Sequence, residues 1–429
     1  MNQPAHSSRK VIGGYLTLSA LFTLAASVVW AINTIFLLRV GGLSLFQVMI
    51  VNSVFTVGQM IFEVPTGVVA DTIGRRASIL LAMLTLMLAT LFYVYTPALG
   101  LGMWGFLAAS VALGLGYTFQ TGTVEAWVVD ALDAVGWQRP KERVFAWGQI
   151  AAGGGMLIGS LLGGILGQLG LAWPYIARTG LFASAFMAAL VMVRDVGFVP
   201  RPLRLSSFGR EAKKIMRVGV RFGWRSPVVR PLLFASALSG VFFMYAFYAW
   251  QPYVLQLLGR DHVWLLGVVQ ALFSLMGIVG NAVVGRVMRE GSRRRDAPKV
   301  LAGAAWMQAL LAGGIAAVGL VSSASGYGPA ALAIGLWLVW GLIFGVAGPI
   351  RMSYINEHIP SAQRATVLSL DAFFVDAGSA AGQPALGWVS ERASIPVAWL
   401  IGGAFVGGAS FLYQKSGRPA LSERGRRTA

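Results

Sequence analysis

The sequence predicts an all-α integral membrane protein, twelve transmembrane helices arranged as two pseudo-symmetric six-helix bundles. Three observations carry this. Of 429 residues 56% are apolar and only 12% are charged, about half the charge of a soluble domain. Apolar runs of about 20 residues or more, each enough to cross a bilayer, recur twelve times along the chain. The basic residues fall almost entirely at alternate breaks between those runs.

Each span is an apolar run closed by charge or by a Pro or Gly break. The first, 12–38, lies between Lys10 and Arg39, and the second, 44–70, stops at Asp71. Spans 76–96 and 102–131 are separated by Pro97 and Gly100. Span 143–169 follows Lys141 and Glu142 and ends at Gly170, and span 174–193 opens at Pro174 and ends at Arg194. The second set runs 228–258, 264–288, 300–321, 329–357, 364–390 and 394–414. The first run is too long for a cleaved leader and has no small-residue cleavage site, so it reads as a retained span.

Orientation follows from charge. Of the 34 Lys and Arg residues, 29 fall at the termini and in the loops after spans 2, 4, 6, 8 and 10. Three (Arg39, Arg260 and Arg392) fall on the other side, and two (Arg178 and Arg351) lie within spans. Positive residues mark the cytoplasmic face, which puts both termini in the cytoplasm. In a soluble protein the net charge of +18 would point to nucleic acid. Distributed this way it is a topology signal, and no nucleic-acid partner is expected. Arginine outnumbers lysine 28 to 6 and alanine is abundant, which suits a GC-rich bacterial genome and a bacterial inner membrane.

The widest gap divides the chain into residues 1–193, a basic linker at 194–227, and residues 228–429 with a cytoplasmic tail. In the linker Phe208, Ala212, Ile215, Met216, Gly219 and Phe222 recur at helical spacing opposite basic positions. That pattern fits either an amphipathic helix on an anionic membrane surface or a solvated basic linker. The halves look like repeats. GVVADTIGRR after span 2 and GRVMREGSRR after span 8 keep a Gly and the Arg pair at an offset of 218. Glu142-Arg143-Val144 and Gln363-Arg364-Ala365 match at an offset of 221. Two six-span halves in parallel repeat are one way to build a transporter around a site at their interface.

Several chemistries are excluded. There is no cysteine, and His6, His262 and His358 are scattered, so no metal site or thiol catalysis is expected. No HExxH, no Walker-type glycine loop and no nucleophile with a plausible base is present, so neither an enzyme nor a cofactor is expected.

Gly67, Asp71, Gly74, Arg75 and Arg76, in a loop between spans 2 and 3, resemble the G-x-x-x-D-x-x-G-R-R/K signature of the major facilitator superfamily. The twelve-span frame extends that resemblance over essentially the whole chain. The two glycines permit close backbone approach and a tight turn, and Asp71 can pair with Arg75 or accept from backbone N–H groups. Asp130, at the end of span 4, offers Arg75 a second carboxylate. In the family this cluster packs against the start of span 11, here Arg364-Ala365-Thr366, and latches one conformation. In span 5, Gly155, Gly159, Gly163 and Gly164 resemble the family's antiporter signature, with Ser160 where a proline belongs. Glycines at this spacing also form a smooth face for close helix packing. The span 4 arginine of many drug antiporters is absent: that region runs from Tyr117 through Gln120 and Gly122 to Glu125. The segments Phe62 to Gly67 and Glu125 to Asp130 resemble a bacterial efflux-type branch.

Ionisable groups inside a membrane are costly, so they face a cavity or a partner and are functional candidates. Glu63, Glu125, Asp371, Asp376 and Arg351 are the candidates for proton coupling or substrate contact. Arg351 matches Asp371 in depth and suits a structural salt bridge with it, which leaves Asp376, nearer the midplane, as the better coupling group. Glu125 could alternatively pair with Arg143. Arg178, near the outer end of span 6, is expected to snorkel outward. Asn33, Gln59, Gln120, Tyr245, Gln270 and Trp340 are candidates for a cavity wall, where aromatics would suit an apolar or cationic organic solute.

The resemblance implies a secondary active transporter working by alternating access, coupled to protons, exporting a small amphiphilic or drug-like solute as a monomer in the lipid bilayer. Uptake of a metabolite is the alternative within the class, and a non-transporting membrane sensor the alternative outside it.

Overall fold

The computed structural model describes residues 8–198, 217, 223–259, 262–288, 293–322 and 325–425. The amphipathic helix considered for the 194–227 linker falls largely outside them. Among the described residues the chain is helical, without strands. The helices are α1 (Ser8–Ser27), α2 (Asn33–Arg39), α3 (Leu45–Ile73), α4 (Arg75–Tyr95), α5 (Gly102–Gln120), α6 (Thr123–Ala134), α7 (Glu142–Leu169) and α8 (Trp173–Met192). After the linker come α9 (Val229–Leu258), α10 (Val263–Val287), α11 (Arg293–Val321), α12 (Tyr327–Glu357), α13 (Arg364–Arg392) and α14 (Ile395–Gly425). Among the described residues, eleven segments are long and apolar enough to cross a bilayer. The remaining long helix, α13, has 29 residues but carries Asp371 and Asp376 mid-length.

Two expected spans are each broken into two helices. The first passes through successive turns at Val28 to Ile32, with Trp30 N–H bonding Ser27 O at 3.1 Å and Ile32 N–H bonding Val29 O at 3.1 Å. The stiff β-branched pair Val28-Val29 sits at the break, beside the glycine face of α7. The fourth span breaks at Thr121-Gly122. Gly122 has φ +69°, a left-handed conformation that ends α5 cheaply only because glycine has no Cβ.

The chain forms two compact units. Unit 1 gathers the described residues within 1–43, 54–209 and 262–271, and unit 2 those within 44–53, 210–261 and 272–429. Each unit therefore includes ten residues from the other half of the sequence, and the two exchanged stretches are related by the same 218-residue offset as the loop repeat. In unit 2, Ser53 Oγ donates to Ala380 O at 2.6 Å. In unit 1, Trp264 N–H donates to Gln168 Oε1 at 3.2 Å, and a Cβ on Gly164 would stand 2.7 Å from the Gly267 Cα.

Inside unit 1, α1 packs on α7 and α4 on α5 and α8. The α1–α7 crossing is as close as backbones permit: a Cβ on Gly155 would lie 2.5 Å from Ala20 O, and one on Gly159 2.7 Å from Leu24 O. Gly163 faces the Val28 carbonyl in the same way. Unit 2 repeats the device without a sequence signature as plain. There α9 packs on α13, with Gly378 against Ala237 O and Gly382 against Val241 O. Without a hydrophobic force between helices in lipid, such small-residue faces supply association through dense contact.

Candidate functional site

At the start of α4, Arg75 Nη1 pairs with Asp71 Oδ1 at 2.8 Å, and its Nε lies 3.6 Å from Asp130 Oδ2. Gly74 (φ +124°) makes the turn that places both arginines. Arg76 takes another route: its backbone N–H donates to Asp195 Oδ1 at 2.8 Å and its Nη2 to Leu190 O at 3.0 Å. Asp195 thereby satisfies an otherwise orphaned N–H of the first turn of α4, a role that its position in a basic linker concealed. Gly67 corrects an expectation. A Cβ there would meet nothing within 4 Å, so among the described residues no close approach requires this glycine.

The candidate acids of unit 1 differ in setting. Glu63 is exposed on α3. Glu125 sits in the first turn of α6, where the helix dipole favours a carboxylate. Its Oε2 is buried and has no hydrogen-bond partner, and among the described residues the considered ion pair with Arg143 is not formed. Asn33, at the start of α2, accepts from Tyr93 at 3.1 Å and from Tyr175 at 2.8 Å, and so ties α2 to α4 and α8. Gln59 and Gln120 are half-buried and Gln270 is buried.

Arg178 overturns the snorkelling expectation. It is 5% exposed and runs inward: Nη2 donates to the Tyr117 hydroxyl at 3.1 Å, and the guanidinium stands 5.3 Å from the Phe182 ring centre. Tyr117 lies fifteen residues into α5, about 22 Å from its start at 1.5 Å per residue. Arg178 is the one basic residue inside the first six expected spans that does not stand at a span edge, and that singularity was the available signal.

In unit 2 the acids of α13 divide. Asp371, 4% exposed at its side chain, pairs with Arg351 Nη1 at 2.9 Å and accepts from Ser236 Oγ at 2.5 Å. Ser236 also bonds Arg351, closing a buried triad of which sequence reasoning found two members. Asp376, five residues on, is half-buried and makes no hydrogen bond or ion pair among the described residues. Tyr245 and Trp340, expected on a cavity wall, are instead packed in the core. Tyr245 exchanges a hydrogen bond with Ser390 at 2.6 Å. Trp340 stacks on Trp337 at 5.2 Å and on Phe243 at 5.9 Å, and Phe243 stacks on Phe344 at 4.6 Å. A cavity of about 260 Å³ opens between α10, α11 and α12, lined by Met288, Ala297, Ile350, Tyr354 and Glu357 among others. It includes none of the expected site residues.

No curated protein sequence matches this chain. Solved structures do match its fold. A mutant of the nucleoside transporter NupG aligns with a TM-score of 0.77 at 12% identity, covering 95% of this chain and 99% of that one. A POT family transporter in complex with a thioalcohol-conjugated peptide aligns at 0.73 and 14% identity, covering 94% of each chain. A bacterial homologue of the iron transporter ferroportin, in an inward-facing state, aligns at 0.71 and 13% identity, covering 97% and 100%. At such identities the likeness establishes the fold alone. The family model of the Major Facilitator Superfamily matches residues 15–383, which takes in the Asp71–Arg75 loop, the glycine face of α7 and the acids of α13. This chain belongs to the major facilitator superfamily.

Proposed function

We propose that this chain is a secondary active transporter that moves a small amphiphilic solute by alternating access and exchanges it for protons in the direction of export. Asp376 is the proton-binding group. The observation that carries the assignment is the contrast within one helix: Asp371 is locked by Arg351 and Ser236, whereas Asp376 has no partner among the described residues. A carboxyl group without an ion pair can take up and release a proton with no bridge to break, which suits a coupling group. A locked one suits scaffolding. Glu125, with one buried oxygen unsatisfied, is the second candidate for the same task. The glycine face of α7, similar to the antiporter signature, supports the exchange mode. The Asp71–Arg75–Asp130 cluster serves as the conformational latch, and the basic loops put both termini in the cytoplasm of a bacterial cell.

The test uses inside-out vesicles bearing the protein, energised to an acid interior and followed with a pH-sensitive dye. Lipophilic compounds are added singly, with Asp376→Asn and Glu125→Gln proteins alongside. Proton efflux triggered by a compound and lost in Asp376→Asn is the expected result. Labelled solutes moving down their gradients with no proton movement, or efflux unchanged in both variants, would overturn the coupling assignment.

A further inference from the structure

We propose that Arg178 is an anion-binding residue, and that the solute carried is an organic acid whose carboxylate pairs with its guanidinium while an apolar or aromatic body lies against Phe22, Phe55 and Tyr117. The inference rests on the transport reading, because it names the chemical class of the solute.

Two other packed arginines have carboxylates: Arg75 has Asp71 and Asp130, and Arg351 has Asp371, while the half-buried Arg76 side chain reaches the Leu190 carbonyl. Arg178 is more buried than these and has no carboxylate among the described residues. A guanidinium presents five N–H donors. Here one reaches the Tyr117 oxygen, and Nε–H is buried with no acceptor. The rings of Tyr117 and Phe182, 5.9 and 5.3 Å away, offset part of the charge by cation–π attraction. They supply no in-plane acceptor for the donors. A desolvated cation in this condition is costly unless paired, and a carboxylate matches its fork in a bidentate manner.

The surroundings fit the rest of an amphiphilic acid. Tyr117 meets Phe22 edge-on at 5.6 Å and Phe55 at 5.4 Å, and Phe22 meets Phe182 at 6.1 Å. Tyr117, Phe22 and Phe55 are only partly buried, so the aromatic wall is reachable while the cation behind it is dry. Tyr117, accepting from Arg178, keeps its own O–H to donate to the same carboxylate. All of these residues belong to unit 1.

The probe is 4-phenylbutyrate, compared with its neutral amide and its amine of matched size, binding to the purified full-length protein by calorimetry. We expect the carboxylate to bind at least about ten-fold tighter than the amide, and the amine not to bind. Arg178→Gln should erase the preference, Arg178→Lys should keep the sign with a smaller ratio, and Tyr117→Phe should reduce it a few-fold. If Arg178→Gln does not fold, Arg178→Lys and the wild-type ratio carry the test. Equal affinity for acid and amide, no binding of the acid, or a preference that survives Arg178→Gln would overturn the proposal. Flux in proteoliposomes separates the two readings. Acid binding without flux of any solute would sink the transport reading and leave this site standing, whereas flux without acid preference would do the reverse.

Discussion

Glu391 and Ser44 are hydrogen-bonded at 2.9 Å across 347 positions of chain, so the last turn of α13 caps the first turn of α3. The same carboxylate oxygen accepts from Phe46 N–H at 3.2 Å, while Gln47 and Ser44 close a reciprocal capping box (2.9 and 3.3 Å). The cap of α3 is thus half local and half borrowed from a distant helix.

Replacing Glu391 with Ala should cost about 1 kcal/mol, the usual worth of a helix cap, seen as a lower thermal midpoint in detergent. Glu391→Gln keeps an acceptor oxygen and should lose less. Adding Ser44→Ala to Glu391→Ala should cost less than the sum of the single changes, because both remove one shared bond.

The Arg351–Asp371 bridge makes a sharper forecast. Asp371→Asn or Arg351→Met alone strands a buried charge and should destabilise by roughly 3–5 kcal/mol. The double change Arg351→Met with Asp371→Leu removes both charges and should recover much of that loss, as judged by protein surviving heating and size exclusion. A double variant no better than either single would show that the bridge contributes more than mutual neutralisation.

Positions on α7 should respond oppositely to bulk. Gly154→Leu faces open space and should leave yield and monodispersity unchanged. Gly163→Leu drives a side chain into the Val28 carbonyl and should abolish the monodisperse species, since the backbones have no room to part.

Gly74→Ala forces a positive φ on a residue with a Cβ, at roughly 1–3 kcal/mol, and presses that Cβ against the Asp195 carboxylate. Combining it with Asp195→Ala relieves the contact, so the pair should be less damaged than the single costs added together. Strict additivity of the unfolding midpoints would show that the contact contributes nothing.

The spans were legible because an apolar run closed by charge has few alternatives in a bilayer. So was the Arg75 pairing, since Asp71 and Arg75 sit four residues apart across one tight turn, and the Arg351–Asp371 bridge, since their depths agree. The break at Val28 to Ile32 was not: it contains neither Pro nor Gly and arises where a neighbouring helix presses on the chain. Gly122 did announce the break between α5 and α6, but an apolar run on both sides hid it. Arg178 was misread because span position fixes where a side chain starts and not which way it runs; only Tyr117 and Phe182, brought from another helix and the next turn, turn it inward. Asp376 stands apart from Asp371 because Arg351, from α12, and Ser236, from α9, reach one acid and not the other.

The exchange of residues 44–53 and 262–271 bears on how the protein is made. A chain emerging from the ribosome has all but the last ten residues of unit 1 by position 209, and residues 262–271, which belong to the same unit, arrive later. At about 5–20 residues per second that wait lasts roughly 3–12 s. Through that interval residues 44–53 are also without the partners that unit 2 will supply. The first half of this transporter therefore leaves the ribosome as an unfinished object, completed by a segment translated after the linker.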